Sequence, residues 1–161
     1  MIFCKMIKLD KIDIQILKIL QKDVTKPLTE ISKKIGISKT PCWNRIKKLE
    51  EDKVIIAKTI LIDNKKINLP IKVFLSISIQ NHTEIWLNKF KKVIQKYDEI
   101  IEVHRLTGTN VDYQITILSP SIEEYDLFQQ KLINEIECTN MSSHISLQTI
   151  KKNNNLSLNY I

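Results

Sequence analysis

Between Ser38 and Glu50 the chain reads SKTPCWNRIKKLE, with Lys39, Arg45, Lys47 and Lys48 and no acid before Glu50. Thr40 and Asn44 add uncharged hydrogen-bonding groups. These residue types suit nucleic acid. Asparagine can pair bidentately with adenine, and arginine or lysine with guanine, in a major groove. Any ammonium can also neutralise a phosphate. If the stretch is a helix, Cys42, Ile46 and Leu49 recur at i, i+4 and i+7 and form a buried seam. Thr40, Asn44, Lys47 and Lys48 then point away from that seam, and Arg45 sits at its edge. A solvated helix face would carry the same polarity, so the surrounding elements must decide.

A second group with chemical potential is TGTNVDY, Thr107 to Tyr113, where a glycine and a carboxylate lie between two strand-like runs. Other chemistry is sparsely supplied. Cys4, Cys42 and Cys138 are far apart with no CxxC spacing, and His82, His104 and His144 are dispersed. No disulfide framework, structural metal or cofactor is expected. No stretch approaches the about 18 apolar residues a membrane helix needs, and the opening MIFCKMIK is too short in apolar run for a secretory signal. A cytoplasmic protein with no membrane partner is the expectation. Charge is uneven: residues 1–66 hold 16 Lys/Arg against 8 Asp/Glu, and residues 67–161 hold 9 against 10. A basic N-terminal part implies a polyanion partner, although a generally lysine-rich composition would also produce it.

The elements that must position these residues follow from periodicity. LDKIDIQILKILQKD predicts a first helix, with Ile12, Ile16, Ile19 and Leu20 on one face and Asp10 as its cap. PLTEISKKIG predicts a short second helix that admits Pro27 at its first position and stops at Gly36. Ser38 then caps the basic helix, so the order is helix, short helix, glycine turn, basic helix. Val54 to Asp63 is β-rich and predicts a strand or wing against these helices, and NKKINLP, Asn64 to Pro70, reads as a linker.

Beyond the linker, IKVFLSISIQ alternates as a half-buried strand. TEIWLNKFKKVIQKY predicts a helix capped by Thr83. IIEVHRL and DYQITIL predict two strands joined at TGTNV. SIEEYDLFQQKLINEI predicts a helix with Ser121 and Glu124 in a capping box, and SHISLQTI a closing strand. The order βαββαβ implies a ferredoxin-like antiparallel sheet with both helices on one face. The other face then needs a partner, most simply a second copy. The division expected is 1–63 as a winged helix-turn-helix, 64–70 as linker, 71–152 as the βαββαβ domain, and 153–161, beginning with NNN, as a loosely ordered polar tail.

LDKIDIQIL, SKTPCWNRIKKLE and DYQITIL followed by SIEEYDLFQQKLI together resemble the Lrp/AsnC family of feast/famine transcriptional regulators, over Leu9 to Lys152. The resemblance implies an α+β chain in which a winged helix-turn-helix precedes a RAM/ACT-like effector-binding and oligomerisation domain. It implies double-stranded DNA as partner, a homodimer paired through its sheets, larger rings such as octamers, and a nucleoid-associated location. It also implies an amino acid or related metabolite bound at a subunit interface. Carried onto this sequence, the DNA-binding residues are Ser38, Lys39, Thr40, Pro41, Asn44, Arg45, Lys47 and Lys48. Asn44 and Lys47 are expected at base edges or nearby phosphates, Arg45 on phosphate, Trp43 partly buried against the first helix and Cys42 in the core. The effector residues are Gly108, Thr109, Asn110, Asp112 and Tyr113. The family's turn has a Gly-Asp-x-Asp-Tyr-like pattern that meets the ligand's amino group. Here Thr109 and Asn110 take the place of one acid, so a carboxylate is missing. Two alternatives stay open: an architectural DNA-binding protein without effector, and a sirohaem-decarboxylase-like enzyme, toward which only His104 and Arg105 are neighbours in the second half.

Overall fold

The computed structural model describes residues 7–108 and 110–160, and the structural statements that follow concern those residues. The chain divides into two compact units. One runs up to Ile60 and resumes at Lys151, and the other spans Leu61–Ile150.

The first unit is helical. Helix α1, Lys11–Leu20, starts at Asp10, whose carboxylate accepts the N–H groups of Ile12 and Asp13 at 2.8 and 2.9 Å. Asp13 returns the favour, its carboxylate accepting the Asp10 N–H at 3.1 Å. Two orphan donors are thereby satisfied. Helix α2, Leu28–Ile35, begins one residue later than predicted, with Pro27 as N-cap. Gly36 ends it at φ 81, a left-handed conformation that any side chain would strain. The N–H groups of Gly36 and Ile37 both donate to the Ser32 carbonyl. Helix α3, Lys39–Glu51, then carries the basic stretch. Ile16, Leu17, Ile19, Ile31, Cys42 and Leu49 form the buried core between the three helices.

Three expectations need correction here. Val54 to Asp63 forms no strand. Val54 and Ile55 pack against the helical core, but Ile56, Ile60, Leu61 and Ile62 are exposed, because no neighbouring strand offers a ladder and β-propensity without a partner does not make a sheet. The helix-turn-helix is present and its wing strand is not. The stretch 64–70 is a closed turn, not an open linker: Asn64 Nδ2 donates to the Leu69 carbonyl at 2.7 Å and the Leu69 N–H to the Asn64 carbonyl at 2.8 Å. The unit boundary falls earlier, after Ile60. Finally, the closing polar segment belongs to the helical unit. Leu158 packs on its core, and the Leu156 N–H donates to Gln21 Oε1 at 2.6 Å.

The second unit is the βαββαβ arrangement: β1 Ile71–Ser78, α4 Glu84–Lys96, β2 Ile100–Arg105, β3 Tyr113–Ser119, α5 Ile122–Glu135 and β4 Asn140–Ile145. The sheet order is β2-β3-β1-β4, antiparallel throughout. Strand β4 starts at Asn140, three residues before the predicted SHISLQTI, and ends at Ile145. Its register explains this: Ser78 pairs with Asn140 and Val73 with Ile145, after which the Ser146 N–H closes onto the Lys72 carbonyl. Both helices pack on one face. Val73, Leu75, Ile77, Ile115 and Ile117 from the strands meet Phe90, Val93, Tyr125, Phe128 and Leu132 from the helices. Thr83 caps α4 and Ser121 caps α5, Ser121 by a one-way bond to the Glu124 N–H where a reciprocal box was expected. The alternate residues, including Phe74, Ser76, Gln114, Thr116, His104 and His144, lie on the face opposite the two helices of this unit. Among the described residues, no helix is long and apolar enough to cross a membrane.

Candidate functional site

Helix α3 is held from beneath by Cys42 and Leu49, which are 0% and 3% exposed. Ile46 packs beside them. That anchoring leaves Thr40, Asn44, Lys47 and Lys48 on the exposed face, with Lys39 and Pro41 exposed in its first turn. Ser38 takes the N-cap position in an extended conformation, but its hydroxyl makes no capping bond. Among the described residues, the helix therefore begins with unbonded N–H groups and an unengaged Ser38 hydroxyl, beside the exposed Lys39. Burial pushes the Cys42 thiol above its usual pKa, so it behaves as a small apolar residue, as expected.

Arg45 departs from expectation. Its Nη1 lies 2.6 Å from Asp10 Oδ2 and 2.8 Å from Asp13 Oδ1. The guanidinium is raised above its ordinary pKa first by the Asp13 bond and then by Asp10. Asp10 is lowered, chiefly by the Asp13 N–H and further by Arg45. The two acids that cap α1 thus also bind α3, and Arg45 ties the two helices together through Nη1. The signal for this was available: two acids at i, i+3 opening one helix, and a single arginine beside the seam of another.

Trp43 is also more open than expected, at 51% exposure. It borders a shallow depression of about 240 Å³ with Leu20, Leu28, Ile46 and Lys58. Lys47 Nζ stands 5.7 Å from its ring centroid and 3.9 Å from Glu50 Oε2, while Lys58 takes Glu50 Oε1 at 2.5 Å. Glu50 is lowered in pKa mainly by Lys58. Among the described residues Lys47 keeps only a long ion pair and a weak cation–π contact, so little there holds its amine back from an anion. Across the whole helical unit, 16 Lys/Arg stand against 7 Asp/Glu, whereas the sheet unit has 9 against 11.

The turn between β2 and β3 splits the expected effector residues. Thr109 lies outside the described residues. Gly108 (φ 152) and Asn110 (φ 71) provide the reversal, and the Ser78 hydroxyl bonds to the Asn110 carbonyl. Tyr113 does not line an open site. It is 4% exposed, with its ring 4.9 Å from Phe90 and 5.3 Å from Trp86. Asp112 is a latch: Oδ2 accepts the Ile79 N–H at 2.7 Å, and the Asp112 N–H donates to the Ile77 carbonyl at 2.9 Å. His82 Nε2 lies 3.3 Å from Asp112 Oδ1. His82 was not singled out in the sequence. The β1–β3 register, Ile77 opposite Tyr113, is what brings the residues after Ser78 beside Asp112.

Comparison with known proteins agrees with this geometry. The AsnC-type helix-turn-helix domain matches residues 9–50, and the Lrp/AsnC ligand binding domain matches residues 72–156. The chain is similar to the glutamate uptake regulatory protein of Zymomonas mobilis, at 40% identity over 89% of this chain and 87% of that one. It is similar in structure to an AsnC family transcriptional regulator from Agrobacterium tumefaciens, with TM-score 0.89, 39% identity, and coverage of 95% and 99%. A transcriptional regulator from Neisseria meningitidis, solved as a complex with L-Met, shares the same TM-score of 0.89 at 27% identity over 95% and 99% of the two chains. With both halves matched in the order the fold requires, the chain belongs to the Lrp/AsnC family of DNA-binding transcriptional regulators.

Proposed function

We propose that α3 lies in the major groove of specific duplex sites and that an amino acid bound near the Gly108–Asp112 turn modulates occupancy. The observation that carries the first part is the exposed face of Thr40, Asn44, Lys47 and Lys48 above a seam closed by Cys42, Ile46 and Leu49. Amide and hydroxyl groups supply base discrimination, and the two amines supply salt-dependent affinity. Ser38, Lys39 and Pro41 at the helix start face the backbone, while Arg45 acts through α1. The effector class is supported by the L-Met complex of the Neisseria relative.

The protein works as a homodimer paired through the open sheet face, with higher rings built from dimers. Support comes from Phe74, which stands 38% exposed on that face and would be buried by a facing copy. The function is regulatory and cytoplasmic, on the nucleoid, without catalysis. The test is selection of bound duplexes from a random library. Enrichment of a two-fold-related motif supports the reading, and recovery of unenriched duplexes refutes it. The missing turn carboxylate favours a second reading, an architectural DNA-binding role, for which genome-wide occupancy would be broad instead of confined to sharp sites.

A further inference from the structure

The loop after β1 brings His82 against Asp112. Asp112 is held in place: its main chain is tied to Ile77 and Leu106, and its Oδ2 to the Ile79 N–H. Only Oδ1 is left for another partner, and it faces His82 Nε2 at 3.3 Å. His82 sits in the segment between β1 and α4, with its side chain 44% exposed, so the imidazole can swing away at little packing cost. The flanking backbone is fixed. The Ser78 hydroxyl bonds the Asn110 carbonyl, and Thr139 donates through both its N–H and its hydroxyl to the Ser78 carbonyl.

We propose that His82 is a specificity-determining residue of the effector site: a free α-amino acid enters the pair, its ammonium replacing the imidazole on Asp112 Oδ1 and its carboxylate taking the freed imidazole N–H. The inference rests on the effector reading above. It follows from charge matching. The site offers one carboxylate and one imidazole, where two acids would favour a simple cation. An amine lacking a carboxylate gains Asp112 but strands His82. An acid lacking an ammonium meets Asp112 as a like charge. Only a ligand carrying both an ammonium and a carboxylate satisfies both partners, each through a charge-assisted hydrogen bond.

The test uses the full-length protein. A thermal-shift screen of the twenty amino acids identifies a ligand, since anything that binds the folded state raises its melting point. Calorimetry then compares that amino acid with its decarboxylated amine in wild type, His82→Ala and His82→Lys, with the unliganded melting point of each variant as the folding control. The expected result is a wild-type preference for the amino acid, loss of about tenfold or more of its affinity in H82A, unchanged or tighter amine binding there, and a retained preference in H82K. Amino-acid affinity that is unchanged or tighter in H82A overturns the role of His82 and leaves the effector reading intact. If no amino acid shifts the wild type, the effector reading fails and this inference with it.

Discussion

The double substitution Lys47→Ala, Lys48→Ala isolates what α3 contributes to binding a polyanion. Each lysine that neutralises a phosphate adds about 0.9 to the slope of log K against log salt. The same relation gives, near 0.15 M salt, about fivefold in affinity per contact. Lys48 is exposed and makes no ion pair among the described residues, so its full contribution is expected. Lys47 must leave Glu50 at 3.9 Å and the Trp43 ring, contacts worth well under about 1 kcal/mol at an exposed position. Per bound helix the slope should therefore drop by about 1.5–1.8, and affinity by about 20- to 30-fold at 0.15 M salt. Fluorescence anisotropy with one duplex across a salt series measures both, and Lys131→Ala on α5 of the sheet unit serves as a charge-loss control. A double variant with wild-type slope would refute the placement of this helix on DNA, whatever its melting point.

Other outcomes follow from the same contacts. Arg45→Ala should lower the melting point by a few degrees and weaken specific binding, yet leave the salt slope unchanged; a slope lower by about 0.9 would put Arg45 on phosphate after all. Acid should undo the same clamp. Asp10 is held below the ordinary 3.8, so its contribution is present above that pH and is lost as pH falls below it, visible as a falling melting point in acid. Truncation after Ile150 removes Leu158 from the helical core and the Leu156–Gln21 bond, and should destabilise the helical unit by about 2 kcal/mol, read by hydrogen exchange of α1 amides. Phe74→Glu puts a carboxylate on the open sheet face and should convert dimer to monomer in sedimentation, without unfolding, since Phe74 is 38% exposed in the single chain.

The parts of this fold legible in the sequence are those set by local pattern. Asp10, Gly36, Thr83 and Ser121 mark helix ends through hydrogen bonds a few residues away, and the strict alternation of Val73, Leu75 and Ile77 marks a one-faced strand. Where a residue's environment depends on distant chain, the reading failed. Ile56 to Ile62 has strand composition but no strand beside it. The polar TNMSSH run hid the start of β4, which only its pairing with β1 defines. Arg45 looked like a surface cation until α1 supplied two acids 32 and 35 residues away. Tyr113 carries a turn-motif position, yet the same alternation that buries Ile115 turns it inward.

The split of charge between the units bears on how the chain meets DNA. The helical unit carries a surplus of nine positive charges and the sheet unit a deficit of two, from 16 against 7 and 9 against 11. Phosphate attracts the first and mildly repels the second, so the long-range field favours encounters led by the helical unit. Within that unit the most anion-suited side chain, Arg45, is spent on Asp10 and Asp13. What remains for the duplex is lysine, a flexible point charge that gives affinity with little base preference. On the proposed docking, discrimination then falls to Asn44 and Thr40, carried on a helix that Arg45 ties to α1. Arg45 would therefore, on that docking, govern specificity through the seating of α3, while Lys47 and Lys48 would govern only strength. Arg45→Lys separates these roles. It keeps the charge but replaces the planar guanidinium, whose Nη1 meets both acids, with a flexible amine, so the ratio of specific to random-duplex affinity should fall while random-duplex affinity holds. Unchanged affinity for both duplexes would show that Arg45 contributes charge alone and would refute its positioning role.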